Sequence, residues 1–380
     1  VTTSPHSVWG TEVDWASGTL RDRSGARPPA QWMPAPQPGT LPKRPFTFFE
    51  AMDGGFRLLR FAPGATFGIA MIVHTLVTLA AGLTFTALVV GNAGFIGRVL
   101  ENPEAGIGLN IVIQTVSVAA SFLILSLVQL LSAFAAVAAD SAFSRERTTL
   151  SAVWRALRGR RLRLVLLCVV CLAAHVLVLG VLVAPGLVLL VLSPAAGVLV
   201  ATLGVALWVA ATAYLFTKSA LAGAALAVED LGVFAALKRS WDLTRRGFWK
   251  SFGQLALSYF LSSQVVSLIL TPILFVLMFV FILVFVVLSL DGGSGAAAFA
   301  GIALGIGMGV AIGAVAIGAT ALMFAFLSGV VAMVYLDRRM RREGYDLVLL
   351  HRAELEEAAA ARTVDSTDPL AHLSGAGGPR

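Results

Sequence analysis

Six apolar stretches dominate the chain, at residues 65–90, 109–136, 164–192, 195–216, 249–290 and 296–336, and Lys250 is the only charged residue in any of them. Each is long enough to cross a hydrocarbon core of about 30 Å as a helix, which takes roughly 20 residues. Within lipid, only helices and closed barrels satisfy their own backbone hydrogen bonds. The runs of Leu, Ala, Val and Phe lack the alternation of a barrel strand, so helices are expected. A composition of 58% hydrophobic and 13% charged residues leaves no room for a soluble fold. The expected fold class is an all-α integral membrane protein with six transmembrane helices.

The basic residues set the orientation. Of the 28 Lys and Arg, all but Arg98 lie before the first stretch, between the second and third, between the fourth and fifth or, for Lys250, at the very start of the fifth, or after the sixth. Lys and Arg near span ends are retained on the cytoplasmic side. Both termini are therefore expected in the cytoplasm, with the chain in the inner (plasma) membrane. The last two stretches are long enough for four short crossings. Nothing near Pro272 or Ala314 resembles a polar turn, however, and four crossings would put the turn at 291–295 inside without a basic residue. Two long spans, with Pro185 and Pro272 kinking the third and fifth, are the preferred reading.

Outside the spans, residues 1–43 are polar and Pro-rich, a composition that buries too little apolar surface to order itself and predicts a disordered tail. No basic start, apolar core and small-residue cleavage site occurs in the first 30 residues, so no cleaved secretory signal is expected. The membrane domain covers 44–346. Residues 347–380 form a second tail, with a surface helix near Glu354 to Arg362.

The sequence repeats itself. FFEAMDGGFRLLRFAPGATFG, residues 48–68, aligns without a gap to VFAALKRSWDLTRRGFWKSFG, residues 233–253. Both carry an apolar row at helical spacing, Phe49, Met52, Phe56 and Leu59 in one and Phe234, Leu237, Trp241 and Thr244 in the other. A weaker third copy starts at Leu150, with Val153 and Leu157 on the row. Thr47 and Glu50 form a capping box that would start the first helix. The expected architecture is three repeats, each an amphipathic interfacial helix followed by a transmembrane hairpin. The basic faces suit an anionic inner leaflet, with Lys238, Arg239, Arg245 and Arg246 as the membrane-surface set.

Three further groups carry candidate chemistry. Cys168, Cys171 and His175 share one face of the third span and have the donor types of a zinc, copper or haem site. A complete ligand set is missing, and buried thiols acting as small apolar side chains explain the cysteines better. His74, Gln114, Gln129, Gln264 and Lys218 are the remaining polar groups in or at the edge of spans. Packing hydrogen bonds between helices account for them better than a transport path. Gly301, Gly305, Gly309 and Gly313 recur every fourth residue and form a flat helix-packing face, for a helix of this chain, a second copy or a partner membrane protein. No nucleotide-binding, hydrolase or zinc-protease motif is present, and no soluble stretch is long enough for a catalytic domain. The basic balance of +7 is accounted for by the topology, so nucleic acid is not expected as a partner.

The runs LPKRPFTFFEAMDGGFRLLRFAPGATFG, VEDLGVFAALKRSWDLTRRGFWKSFG and YLDRRMRREGYDLVL resemble actinobacterial membrane proteins with a glycerophosphoryl diester phosphodiesterase membrane domain, a likeness covering residues 41–350. The resemblance implies a Pro-rich cytoplasmic tail and no catalytic residues, because the phosphodiesterase barrel fused to this domain elsewhere is absent. The leading expectation is a non-enzymatic, cofactor-free organiser of lipids or partner proteins. A transporter for a small or amphiphilic solute is the alternative, and a redox protein using the Cys168 face a third.

Overall fold

The computed structural model describes residues 11–14, 19–22, 41–91, 94, 103–143, 148–290 and 295–366. The chain divides into two compact units, Val1–Pro38 and Gly39–Arg380. In the first, β1 (Thr11–Asp14) pairs antiparallel with β2 (Thr19–Asp22), and Thr11 faces Asp22. Residues 41–43, counted with the expected disordered tail, instead belong to the second unit, where Leu41 is buried in the core, and the remainder of that tail lies outside the described residues.

The second unit is helical: α1 (Phe48–Phe61), α2 (Ile69–Gly91), α3 (Pro103–Phe143), α4 (Leu150–Ala156), α5 (Arg161–Leu192), α6 (Pro194–Ser219), α7 (Ala222–Glu229), α8 (Val233–Arg245), α9 (Phe248–Leu290), α10 (Gly295–Glu343) and α11 (Tyr345–Ser366). Six segments are long and apolar enough to cross a membrane. The two long stretches are single continuous helices of 43 and 49 residues, α9 and α10, and Pro185 and Pro272 lie inside α5 and α9 without ending them.

Local chemistry sets the helix boundaries. The Thr47 hydroxyl accepts from the Glu50 amide, and the Glu50 carboxylate accepts from the Thr47 amide at 2.8 Å, so the capping box is formed. Arg44 pairs with the same carboxylate at 2.7 Å, and this contact first, the cap second, holds it down at about 2. Pro63 follows the end of α1, and one π-helical turn, Gly64–Gly68, redirects the chain into α2. The chain passes from α5 to α6 through Ser193 alone, with Pro194 opening α6, where its missing N–H costs nothing. Gly344, at a φ of +63°, separates α10 from α11 in a conformation glycine adopts without strain.

The starts of α1, α5 and α9 meet the ends of α3, α6 and α10 at one end of the bundle, where the described Lys and Arg of this unit lie. The core is there too. It is built from Leu41 and Phe46, the Ala-rich end of α3, all of α7 except its last two residues, and Val330 to Leu336 of α10. Toward the other end, α5, α6, α9 and α10 turn large apolar side chains outward, with Leu192 79% and Leu268 76% exposed. That surface matches hydrocarbon, and the six-span membrane architecture follows from it. The connections expected to face outward after α2 and α9 lie almost wholly outside the described residues.

The amphipathic helices differ from expectation in which face they bury. α1 turns Ala51, Met52, Gly54, Gly55 and Leu58 inward, so Met52 of the predicted row is buried while Phe49 and Phe56 stay exposed. α8 buries Val233, Ala236, Ser240, Leu243 and Thr244, so Thr244 leaves the predicted row, while Phe234 and Trp241 stay exposed. In α4, by contrast, Val153 and Leu157 are fully buried. Small side chains face in because they allow α1 and α8 to lie flat on the core. The three short helices stand in the expected chain order, but their faces are not equivalent.

Close helix approaches use glycines other than the predicted four. The Gly329 Cβ position would lie 3.2 Å from Gly55, where α1 crosses α10. Gly186, Gly197 and Gly204 let α5 and α6 run backbone against backbone, and a Cβ on Gly204 would sit 2.2 Å from the Leu182 carbonyl. At Gly301, Gly309 and Gly313, nothing described comes within 4 Å of a Cβ, and at Gly305 only the Phe281 ring does, at 3.7 Å.

Candidate functional site

Four ionic clusters join the helix ends at the basic face. Asp337 of α10 is completely buried. Its carboxylate accepts from the Phe46 amide, Lys250 and Arg341, each at 2.9 Å. Lys250 and Arg341 also donate to the Phe46 carbonyl, at 3.1 and 2.7 Å, which ties the entry to α1 onto α9 and α10. Glu229, at the end of α7, accepts from Tyr335 at 2.7 Å and Arg239 at 2.8 Å, and Arg239 pairs in turn with Glu343. Asp230 is bound by Arg163 at 2.7 Å and Arg160 at 3.0 Å. Its carboxyl is held below the usual range, first by the Arg163 hydrogen bond. α3 continues past the expected span end at residue 136 to Phe143, and Asp140 near its end accepts from Tyr345 at 3.0 Å.

These pairs change the membrane-surface set. Arg239 is engaged by Glu229 and Glu343 and has no charge to offer a lipid surface. Lys238, Arg245 and Arg246 are exposed and form no ion pair among the described residues. α7 was not anticipated from sequence. It lies between the fourth and fifth spans and is buried against α3, where the Gly223 amide donates to Gln129 Oε1 at 3.0 Å. Gln129 is thus a packing hydrogen bond, as expected of it. Gln264 is exposed, and the Gln114 side chain lies outside the described residues.

The Cys168, Cys171 and His175 face is divided among neighbours. Cys168 lies against Leu130 of α3 and Cys171 against Ser219 of α6, and both thiols are buried and free. His175 Nδ1 is 2.6 Å from the Cys171 carbonyl, which can only accept, so Nδ1 carries the hydrogen and Nε2 a lone pair. Among the described residues, no group of three or more His, Cys, Asp and Glu could hold a metal. The His175 ring stacks on Phe122 of α3 at 5.4 Å, and Trp208 of α6 meets the same ring edge-on at 5.0 Å. Among the described residues, His175 Nε2, Trp208 Nε1, Ser126 Oγ and Thr212 Oγ1 are buried without a partner, on three helices around Phe122. His74 repeats the pattern: Nδ1 bonds the Ala70 carbonyl at 2.8 Å, and Nε2 is buried with no partner among the described residues.

Lys218, at the end of α6, is 5% exposed. Its ammonium lies 5.1 Å from the Trp241 ring centre, 5.5 Å from Phe248 and 5.8 Å from Tyr214. The ammonium makes no hydrogen bond or ion pair among the described residues, while the Lys218 carbonyl accepts from the Ser240 hydroxyl at 2.6 Å.

No protein-family model, curated protein or solved structure matches the chain. The fold and its charged end define a six-span helical membrane protein.

Proposed function

We propose that this is a non-enzymatic, multi-pass protein of the inner (plasma) membrane, with both termini in the cytoplasm, that gathers anionic lipid and organises lipids or partner proteins at the inner leaflet. The observation behind this reading is α8. Lys238 and Arg245 on this helix and Arg246 at its end are exposed and form no ion pair among the described residues, and the same helix exposes Phe234 and Trp241. Such a helix lies at a membrane interface, with aromatic rings at headgroup level and cations toward anionic lipid. The strong bias of Lys and Arg to one side of the spans supports the orientation. The resemblance to the glycerophosphoryl diester phosphodiesterase membrane domain agrees with a role without hydrolysis.

Reconstitution into mixed phosphatidylcholine and phosphatidylglycerol vesicles tests it. The Lys238→Glu/Arg246→Glu variant is expected to insert normally and to lose the enrichment of phosphatidylglycerol around the protein. Each surface cation is worth about 1 kcal/mol at an anionic membrane. Unchanged enrichment would remove the reading.

A solute permease is a second reading, favoured by the unpartnered polar atoms around Phe122, because a polar atom buried in a span without a partner is costly unless it serves a ligand. Under it, proteoliposomes show saturable solute flux that falls in His175→Ala and ignores the charge reversal. That result would displace the organiser.

A further inference from the structure

From the geometry around Lys218 we infer a discrete binding site for the phosphate of an anionic phospholipid, between the end of α6, α8 and the start of α9. The inference rests on the membrane-interface placement of α8 and adds a single seat to its general attraction for lipid.

Lys218 is more than nine-tenths buried, yet its nitrogen is not among the sealed, unpartnered polar atoms, so the ammonium keeps a path outward. Three ring faces surround it, which suits a cation. They supply no counter-charge. Arg245 and Arg342 instead add positive charge at the same place. No carboxylate answers them: Arg245 and Arg342 form no ion pair among the described residues, nor does Asp242, next to Trp241 in the chain. The Arg342 guanidinium donates to the Asp242 backbone carbonyl, which steers it toward the end of α8. Neighbouring clusters at this end of the bundle pair their cations with acids, so three cations left together mark a place built for an anion from outside the chain.

The surroundings select a lipid over a free anion. Leu203, Leu207 and Tyr214 precede Lys218 on one exposed stripe of α6, at spacings that keep them on one face. This apolar stripe ends at the cation, as acyl chains end at a phosphate. Trp241 and Trp249 are exposed beside it, rings of the kind that concentrate at the headgroup level.

The full-length protein, stripped of lipid in detergent and offered phosphatidylglycerol or phosphatidylcholine, tests the site by native mass spectrometry. One phosphatidylglycerol should be retained in preference to phosphatidylcholine. Lys218→Met and Arg245→Gln should each weaken its retention by roughly fivefold or more, the loss of one charge-assisted contact. Arg245 is on the surface, so its variant tests the site without disturbing the core. Lys238→Glu/Arg246→Glu should keep this lipid even while losing general phosphatidylglycerol enrichment, and Lys218→Met should do the reverse. The two readings therefore fail separately. Equal retention of both lipids, or undiminished retention in both single variants, overturns the site. Displacement of the lipid by excess inorganic phosphate overturns the lipid as its occupant.

Discussion

Asp337→Ala is expected to destabilise the bundle by about 3 kcal/mol, read as a fall in thermal unfolding temperature in detergent. The carboxylate is wholly buried and is the shared acceptor for a backbone amide and two cations. Its removal strands the Phe46 amide in the core. Lys250 and Arg341 suffer less, because they are 29% and 42% exposed and can turn to water. Asp337→Asn should fall between, since an amide oxygen still accepts from Phe46 while the ion pairs are lost. A variant as stable as the wild type would show that the entry to α1 is held by apolar packing alone.

Gly223→Ala should be at least as damaging, at about 3 kcal/mol, the upper range for overpacked sites. A Cβ there would sit 1.9 Å from the Gln129 carbonyl oxygen of α3. Backbone cannot yield as a flexible side chain can, so α7 would have to lift away and release the Gly223 to Gln129 hydrogen bond. Gly309→Leu, in open surroundings, should change the monomer little. Measuring the two in one detergent series checks the assignment, and a larger loss for Gly309→Leu would show that the repeating glycine face packs on another chain.

The contrast between those glycines shows what a sequence conveys. Period-four spacing from Gly301 to Gly313 describes a smooth helix face, and that face exists. It says nothing of whether a helix lies opposite. Gly55, Gly223 and Gly329 belong to no periodic row of glycines, and their importance comes from neighbours far along the chain. The same holds for charge. That Arg239 is basic and on an amphipathic helix was legible. That Glu229 and Glu343 neutralise it depends on where α7 and α10 end. Local signals survived: the Thr47 capping box, the single-helix character of α9 and α10, and the packing role of Gln129. Lys218 carried a signal in being the lone cation closing an apolar run, with Tyr214 one turn before it. The convergence of Trp241, Phe248, Arg245 and Arg342 on it is tertiary.

A core confined to one end of the bundle has a consequence for the bilayer the protein can inhabit. α9, at 43 residues and about 1.5 Å of rise each, is roughly twice as long as a hydrocarbon core is thick. α9 packs more against its hairpin partner than against any other helix, as does α5. Such arms can lean at different angles without disturbing the Asp337 and Glu229 clusters that anchor them. Leaning absorbs a mismatch between helix length and bilayer thickness at small cost per ångström. A bundle fastened at one end in this way suits membranes whose thickness varies with lipid composition.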